Sequence, residues 1–176
     1  MGDDGLLKAI IRQIEDFGLK VIGPHELLQD GVNREGTLGR CEPDDIALQD
    51  IRRGCSILTA LGPTDVGQSI VIQDNIVIAI EAVEGTDAMI QRSAPLHREG
   101  PGGVLVKLPK PGQEKRADLP TIGPQTVDNA DEAGIRGIAI HASDTLFVDR
   151  EQTIALADSL GLFIFSFDPD KWLESA

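Results

Sequence analysis

The sequence predicts a single α/β domain: a mixed β-sheet with helices packed on its faces. Two observations carry this expectation. Strand-like and helix-like apolar patterns are interleaved along the whole chain. At 176 residues and 41% hydrophobic composition, the chain can also bury one substantial core. With five Phe, one Trp and no Tyr, that core must be built from Ile, Leu, Val and Ala.

The elements follow in order. Leu6, Leu7, Ile10, Ile11 and Ile14 recur at helical spacing after Asp3 and Asp4, which suit an N-cap and a first-turn acid, and Gly18 ends this helix. Leu19–Ile22 reads as a short strand and residues 29–40 as a polar, glycine-rich loop. Pro43 sits near the start of a second helix, with Ile46, Ile51, Ile57, Leu58 and Leu61 as its apolar positions and Gly62-Pro63 as its stop. Ser69–Val83 is apolar except at Gln73-Asp74-Asn75, which predicts a hairpin. Gly85 breaks its second strand, and Thr86 or Asp87 is expected to cap a short helix through Arg92. Residues 94–103 form a Pro- and Gly-rich loop before a strand at Val104–Leu108. Pro109 and Pro111 prevent further pairing, so the chain reads mostly as loop to Pro124. The remaining elements are a helix from Gln125 to Ala133, a strand at Gly137–Ile140, a hairpin return at Thr145–Val148, a helix at Arg150–Leu160 and a strand at Leu162–Phe167. The domain is expected to span residues 1–168, with 169–176 a flexible tail.

A net charge of −13 argues against a broad nucleic-acid-binding face, and no nucleic-acid partner is expected. It also disfavours attraction to anionic lipid. Local clusters of Lys and Arg can still hold phosphate. Cys41 and Cys55 form neither a metal spacing nor a redox pair and are expected as reduced thiols of a cytoplasmic protein. No apolar run approaches the roughly 20 residues that span a bilayer, and Met1-Gly2-Asp3-Asp4 lacks the start of a signal peptide.

Chemistry concentrates in two places. Residues 107–121 hold four of the chain's 16 Lys and Arg (Lys107, Lys110, Lys115, Arg116) together with Asp118. Three prolines stiffen this loop, which follows a strand, where sites are commonly built. The cations suit a phosphate or pyrophosphate, and Arg116 can make a bidentate contact. A solvated charged loop explains the same residues equally well, because no phosphate-loop or dinucleotide fingerprint is present. The second place is Glu81-Ala82-Val83-Glu84-Gly85-Thr86-Asp87. Glu81 is unusual in an apolar strand, and Glu84 and Asp87 offer hard oxygen ligands of the kind Mg²⁺ takes. Helix capping by Thr86 and Asp87 is the plainer explanation, and both roles can coexist. Asp65 and Gln68 form a weaker third group that a turn explains more readily. His25, His97 and His141 share no ligand spacing and read as ordinary surface or packing residues. No nucleophile elbow or Cys-His arrangement supports covalent catalysis.

Taken together, Pro24-His25-Glu26, Asp65-Val66-Gly67-Gln68, Glu81–Met89, Lys107–Lys110 with Pro111-Gly112-Gln113, and Arg116–Gly123 resemble the C-terminal catalytic domain of the LpxI-type UDP-2,3-diacylglucosamine pyrophosphatases. The resemblance runs from about residue 2 to residue 167 in the same order. It implies hydrolysis, in lipid A synthesis of Gram-negative bacteria, of the pyrophosphate of UDP-2,3-diacylglucosamine to UMP and 2,3-diacylglucosamine 1-phosphate (lipid X). It also implies Mg²⁺ or another divalent cation as cofactor, and water directed at the β-phosphate. Asp118 is then the essential acid, as metal ligand or as base for the water. Lys107, Lys110 and Arg116 neutralise the transferring phosphoryl group. Glu84 and Asp87 join Asp118 as metal candidates, and Thr86, Gln113 and Thr121 are the candidates to hydrogen-bond phosphate oxygens.

The same resemblance implies a cytoplasmic protein in transient, peripheral contact with the inner membrane surface. Its partners would be a UDP-linked acylated sugar, the family's N-terminal domain and, as an open question, a second copy in a homodimer. No counterpart of that N-terminal domain is expected within these 176 residues, so this chain is expected to turn over slowly or not at all by itself. Two alternatives stay open: hydrolysis of a nucleotide sugar without lipid, and binding of a phosphorylated ligand without catalysis.

Overall fold

The computed structural model describes residues 3–23, 26 and 33–174. In chain order the elements are α1 (Asp3–Asp16), β1 (Gly36–Thr37), α2 (Asp45–Leu61), β2 (Ser69–Gln73), β3 (Ile76–Ile80), α3 (Thr86–Ser93), β4 (Gly103–Lys107), β5 (Thr121–Ile122), α4 (Pro124–Glu132), β6 (Ile135–His141), β7 (Leu146–Phe147), α5 (Arg150–Leu160), β8 (Phe163–Phe167) and α6 (Pro169–Glu174). Six strands form one sheet in the order β1-β8-β6-β4-β2-β3. The central strands β4, β6 and β8 are parallel, whereas β1, β2 and β3 pair antiparallel. The mixed sheet predicted from the sequence is therefore the one that forms.

Its two faces are covered by different helices, because alternate residues of each strand point to opposite sides. Ile70, Ile72, Val104, Val106, Ala139, Phe163 and Phe167 pack against Ala47, Ile51, Cys55 and Leu58 of α2. Val71, Leu105, Ile138, Ile140 and Ile164 meet Met89 and Ile90 of α3, Val127 and Ala130 of α4, and Ala157 of α5. Asp44 caps α2, accepting from the Ala47 amide at 2.8 Å. Gly54 lets this helix sit close, since a Cβ there would lie 2.7 Å from Val106 Cγ2.

The β2–β3 hairpin turns at Asp74 and Asn75, whose φ values of 52° and 60° fit the tight turn that matches strand twist. Asp50 of α2 holds that turn, accepting from the Asp74 and Asn75 amides at 3.1 and 2.6 Å. Both cysteines are free thiols, and burial pushes Cys55 up to about 11, which leaves it unreactive.

Gly137 leaves room for the Phe163 ring of the adjacent strand, into which a Cβ would project. Gly137→Ala is therefore expected to cost about 2–3 kcal/mol through overpacking. Urea denaturation measures this, and an unchanged midpoint would contradict the packing described.

Several expectations need correction. Residues 19–22 form no strand. The predicted loop at 29–40 instead contains β1, which pairs with β8; residues 29–32 lie outside the described residues, as do His25 and the side chains of Asp3 and Asp4. The stretch 145–148 is not a hairpin return: β7 pairs in parallel with β5, a strand the prolines around it obscured. Among the described side chains of α1 only Ile11 is buried, while Leu6 and Ile10 are 59% and 47% exposed, so the apolar stripe is only partly covered. The expected flexible tail contains α6, whose Trp172 ring lies 5.0 Å from Phe167 and 5.5 Å from Phe165. Arg52 stacks over the same ring at 5.5 Å.

Candidate active site

The parallel strands β4, β6 and β8 present their carboxyl ends at one edge of the sheet, where ligands of open α/β folds commonly sit. Because β2 and β3 run antiparallel in this region, the start of β2 and the end of β3 reach the same edge. Gln68, Ser69, Glu81, Lys107 and the loop after β4 are thereby brought together. Gln68 and Glu81 reach a cavity of about 420 Å³, lined by residues 65–68 and 81–83 together with Gly85, Lys110 and Asp118, whereas Ser69 and Lys107 are buried and do not line it.

The loop after β4 is held from within. The Gln113 amide donates to Asp118 Oδ2, and Gln113 Oε1 accepts from the Lys110 amide at 2.9 Å. One buried side chain thus fixes both the carboxylate and the backbone carrying the lysine. Lys110 Nζ in turn donates to Asp65 Oδ1. Asp65 is in the left-handed conformation (φ 56°), which turns it toward the cavity at the end of a short 3₁₀ turn.

Lys107 ends β4 and is only 6% exposed. Its Nζ donates to Thr86 Oγ1 at 2.7 Å, and that hydroxyl lies 3.1 Å from Ser69 Oγ. Burial lowers the Lys107 pKa, opposed by the charges of Glu81, Asp87 and Asp118. A buried cation therefore lies among three acids. Gly67 is needed beside them, because a Cβ there would overlap the Glu81 carbonyl.

Lys107, Lys110, Gln113, Asp118 and Thr86 of the sequence candidates are thus gathered around one site. The others lie differently. Arg116 forms a bidentate pair with Glu114 and reaches Glu15 of α1 at 2.6 Å; the pair holds the Glu114 carboxyl down to about 2 and raises the guanidinium pKa. Glu84 is paired with Arg92 at 2.6 Å and does not line the cavity. Asp87 is exposed in the first turn of α3, and Thr121 is exposed on β5, donating to the Leu119 carbonyl. Neither Thr86 nor Asp87 caps α3: Gly85, at φ 81°, occupies that position. Among the described residues, no three His, Cys, Asp or Glu side chains converge to enclose a metal ion.

Glu81 and Ser69 belong to the site although neither was assigned a role from the sequence. An acid in an apolar strand was the visible signal for Glu81; Ser69 gave none. Gln68 also lines the cavity, with its Oε1 buried and unpartnered among the described residues.

A neighbouring cavity of about 330 Å³ shares Lys110 and is walled by Pro109, Pro111, Lys115, His141, Asp144 and Pro169, among others. His141 there is a local brace: its Nδ1 accepts the Ser143 and Asp144 amides at 3.1 and 3.2 Å. Lys115 is tied to Asp144 at 2.8 and 2.9 Å, clamping the loop after β4 to the one after β6. His97 is half-buried at the opposite end of β4, where burial lowers its pKa.

Comparison with known proteins matches the sequence to a family. The sequence model of the LpxI C-terminal domain matches residues 34–165, which include every residue lining the 420 Å³ cavity. The chain belongs to this family. It is 42% identical, over 97% of its own length, to the UDP-2,3-diacylglucosamine pyrophosphatase LpxI of Caulobacter vibrioides. It spans 63% of the length of that relative. Among the described residues, no helix is long and apolar enough to cross a membrane.

Proposed function

We propose that this domain carries the hydrolytic centre of a UDP-2,3-diacylglucosamine pyrophosphatase, releasing UMP and 2,3-diacylglucosamine 1-phosphate for lipid A synthesis. The observation that carries the reading is the placement of Asp118 and Lys110 at one cavity, with the buried Lys107 near Asp118, in a chain 42% identical to a protein of that name. Hydrolysis of a diphosphate needs an oriented water and fixed positive charge where the phosphoryl oxygens gather charge. Asp118, with one oxygen held by Gln113, offers the other either to orient water and accept its proton or to hold a metal ion. Lys110 exchanges Asp65 for a phosphate oxygen, and Lys107 contributes its charge from behind the cavity wall. Water attacks the β-phosphorus, the bond to the bridging oxygen breaks, and UMP departs with that oxygen.

The donor set fits a Mg²⁺ that arrives with the diphosphate, since such ions take one or two carboxylates and complete their shell with phosphate oxygens and water. Asp118 is the side chain that would hold it, and the unpartnered Gln68 Oε1 is an acceptor suited to water on the ion or to a sugar hydroxyl. The ion supplies charge neutralisation on the diphosphate. Glu84, already paired with Arg92, is not needed. The remaining length of the relative, the cytoplasmic location with peripheral membrane contact, and any homodimer belong to the whole protein; the N-terminal region would help to hold the acylated sugar.

The test is UMP release by this chain joined to the N-terminal region of the relative, with Mg²⁺, from UDP-2,3-diacylglucosamine and from UDP-N-acetylglucosamine. Release from the acylated substrate alone supports the reading. Equal release from both would favour a hydrolase indifferent to lipid, and binding without release would favour a phosphate-binding domain.

A further inference from the structure

We propose that Glu81 is a positioning residue for Lys107, the buried counter-anion that keeps its ammonium in place over Ser69 and against Thr86, behind the cavity wall. The inference rests on the reading of the cavity as the active site and adds a residue that reading does not use. Strand register places the two residues in one row on either side of Ser69, and the Lys107 side chain reaches back over that serine to Thr86. Ser69 is the partner of Lys107 in the β2–β4 ladder. On its other side, the Glu81 amide donates to the Ser69 carbonyl at 2.9 Å, one step beyond the Ile70–Ile80 pair. Glu81, Ser69 and Lys107 therefore form one row across three strands, with adjacent positions roughly 5 Å apart.

Alternation sends all three side chains to the face covered by α3. Their neighbours Ile70, Ile80 and Val106 pack on the α2 side. Thr86 sits over the middle of the row, taking the Lys107 proton donor and meeting Ser69 Oγ.

A buried lysine tends to lose its proton unless an anion offsets the loss of water. Glu81 is only 8% exposed and its carboxylate is itself fixed, accepting from the Gln68 amide at 3.3 Å. Gly67 lets the two segments approach, since any Cβ there would strike the Glu81 backbone. The charged groups around Lys107 are Glu81 from the end of β3, Asp87 from α3 and Asp118 from the loop after β4. Asp118 faces the substrate, and Asp87 is exposed to screening solvent. Glu81 is thus the buried anion whose charge is not spent on the reaction.

The experiment follows the Lys107 side chain directly in this chain, without substrate. Lysines are ¹³C-dimethylated, Lys107 is assigned with Lys107→Arg, and its titration is recorded by NMR in the parent and in Glu81→Gln. The variant is expected to titrate about one pH unit lower. An unchanged Lys107 midpoint in folded Glu81→Gln would overturn the proposal. Should Glu81→Gln fail to fold, Glu81→Asp keeps the charge at a greater distance, and a smaller downward shift is expected; no shift would again overturn the proposal.

In the chain joined to the N-terminal region, the basic limb of kcat against pH should move down by the same amount with KM little changed, and Glu81→Asp should restore part of it. A shifted midpoint with an unmoved pH profile would overturn the positioning role while leaving the hydrolase reading intact. Absence of UMP release from the parent would sink the hydrolase reading and with it the catalytic role of Lys107, while the NMR midpoint still decides whether Glu81 holds the lysine.

Discussion

Asp118→Asn is expected to lower kcat for UMP release by about 10²–10⁴-fold while leaving the fold intact. The substitution is chosen for its shape. Gln113 Nε2 donates to Asp118 Oδ2, and an asparagine can present its carbonyl oxygen to the same amide. The loop therefore keeps the lock between Lys110 and residue 118, and the thermal midpoint should change little. An amide cannot take a proton from water, and it is a poorer ligand than a carboxylate for a hard cation. Both consequences fall on kcat rather than on KM. Retention of more than about a tenth of the parent rate would move the essential acid elsewhere, because even a modest general base contributes more than that.

Phe167→Ala is expected to destabilise the domain by about 3–5 kcal/mol, the usual cost of deleting a buried aromatic ring. Phe167 is 2% exposed and ends β8 under α2. Its ring also packs on Trp172 at 5.0 Å, and Trp172 lies under Arg52 at 5.5 Å. The cavity left by alanine would be flanked by Leu58 and Trp172, neither of which can close it without moving a helix. The effect is read by urea denaturation. Because Trp172 is the single tryptophan of the chain, its fluorescence reports the loosening of α6 at the same time. A loss below about 1 kcal/mol would show that α6 is poorly packed on the end of β8.

What the sequence revealed follows from which signals are local. The second helix, the Asp74-Asn75 hairpin and the helix at Arg150–Leu160 were legible because caps, turn residues and apolar spacing all lie within one element. β1 and β5, of two residues each, carry no periodicity and exist only through partners far along the chain. The return at 145–148 was read as a hairpin because its neighbour in sequence is β6, whereas its actual partner is β5. The segment 169–176 was expected to be flexible because the contacts of Trp172 with Phe165, Phe167 and Arg52 are tertiary and leave no local signal.

The site divides in the same way. Lys107, Lys110, Gln113 and Asp118 were visible as one dense loop. Arg116 and Glu84 looked equally functional, since the sequence does not reveal that Glu114, Glu15 and Arg92 engage them. Ser69 enters only through strand register, which sets three strands side by side at one edge, and the same register gives the conspicuous Glu81 its place beside it.

The central claim is that the cavity holding Asp118 and Lys110 hydrolyses the diphosphate of a UDP-linked acylated sugar. The most direct measurement is ³¹P NMR of UDP-2,3-diacylglucosamine incubated in ¹⁸O-water with Mg²⁺ and this chain joined to the N-terminal region. The account predicts that the diphosphate signals give way to UMP and sugar 1-phosphate, that the ¹⁸O shift falls on the sugar phosphate, and that Asp118→Asn leaves the diphosphate intact. A diphosphate that persists with the folded parent protein, or that is cleaved equally fast by Asp118→Asn, would contradict it.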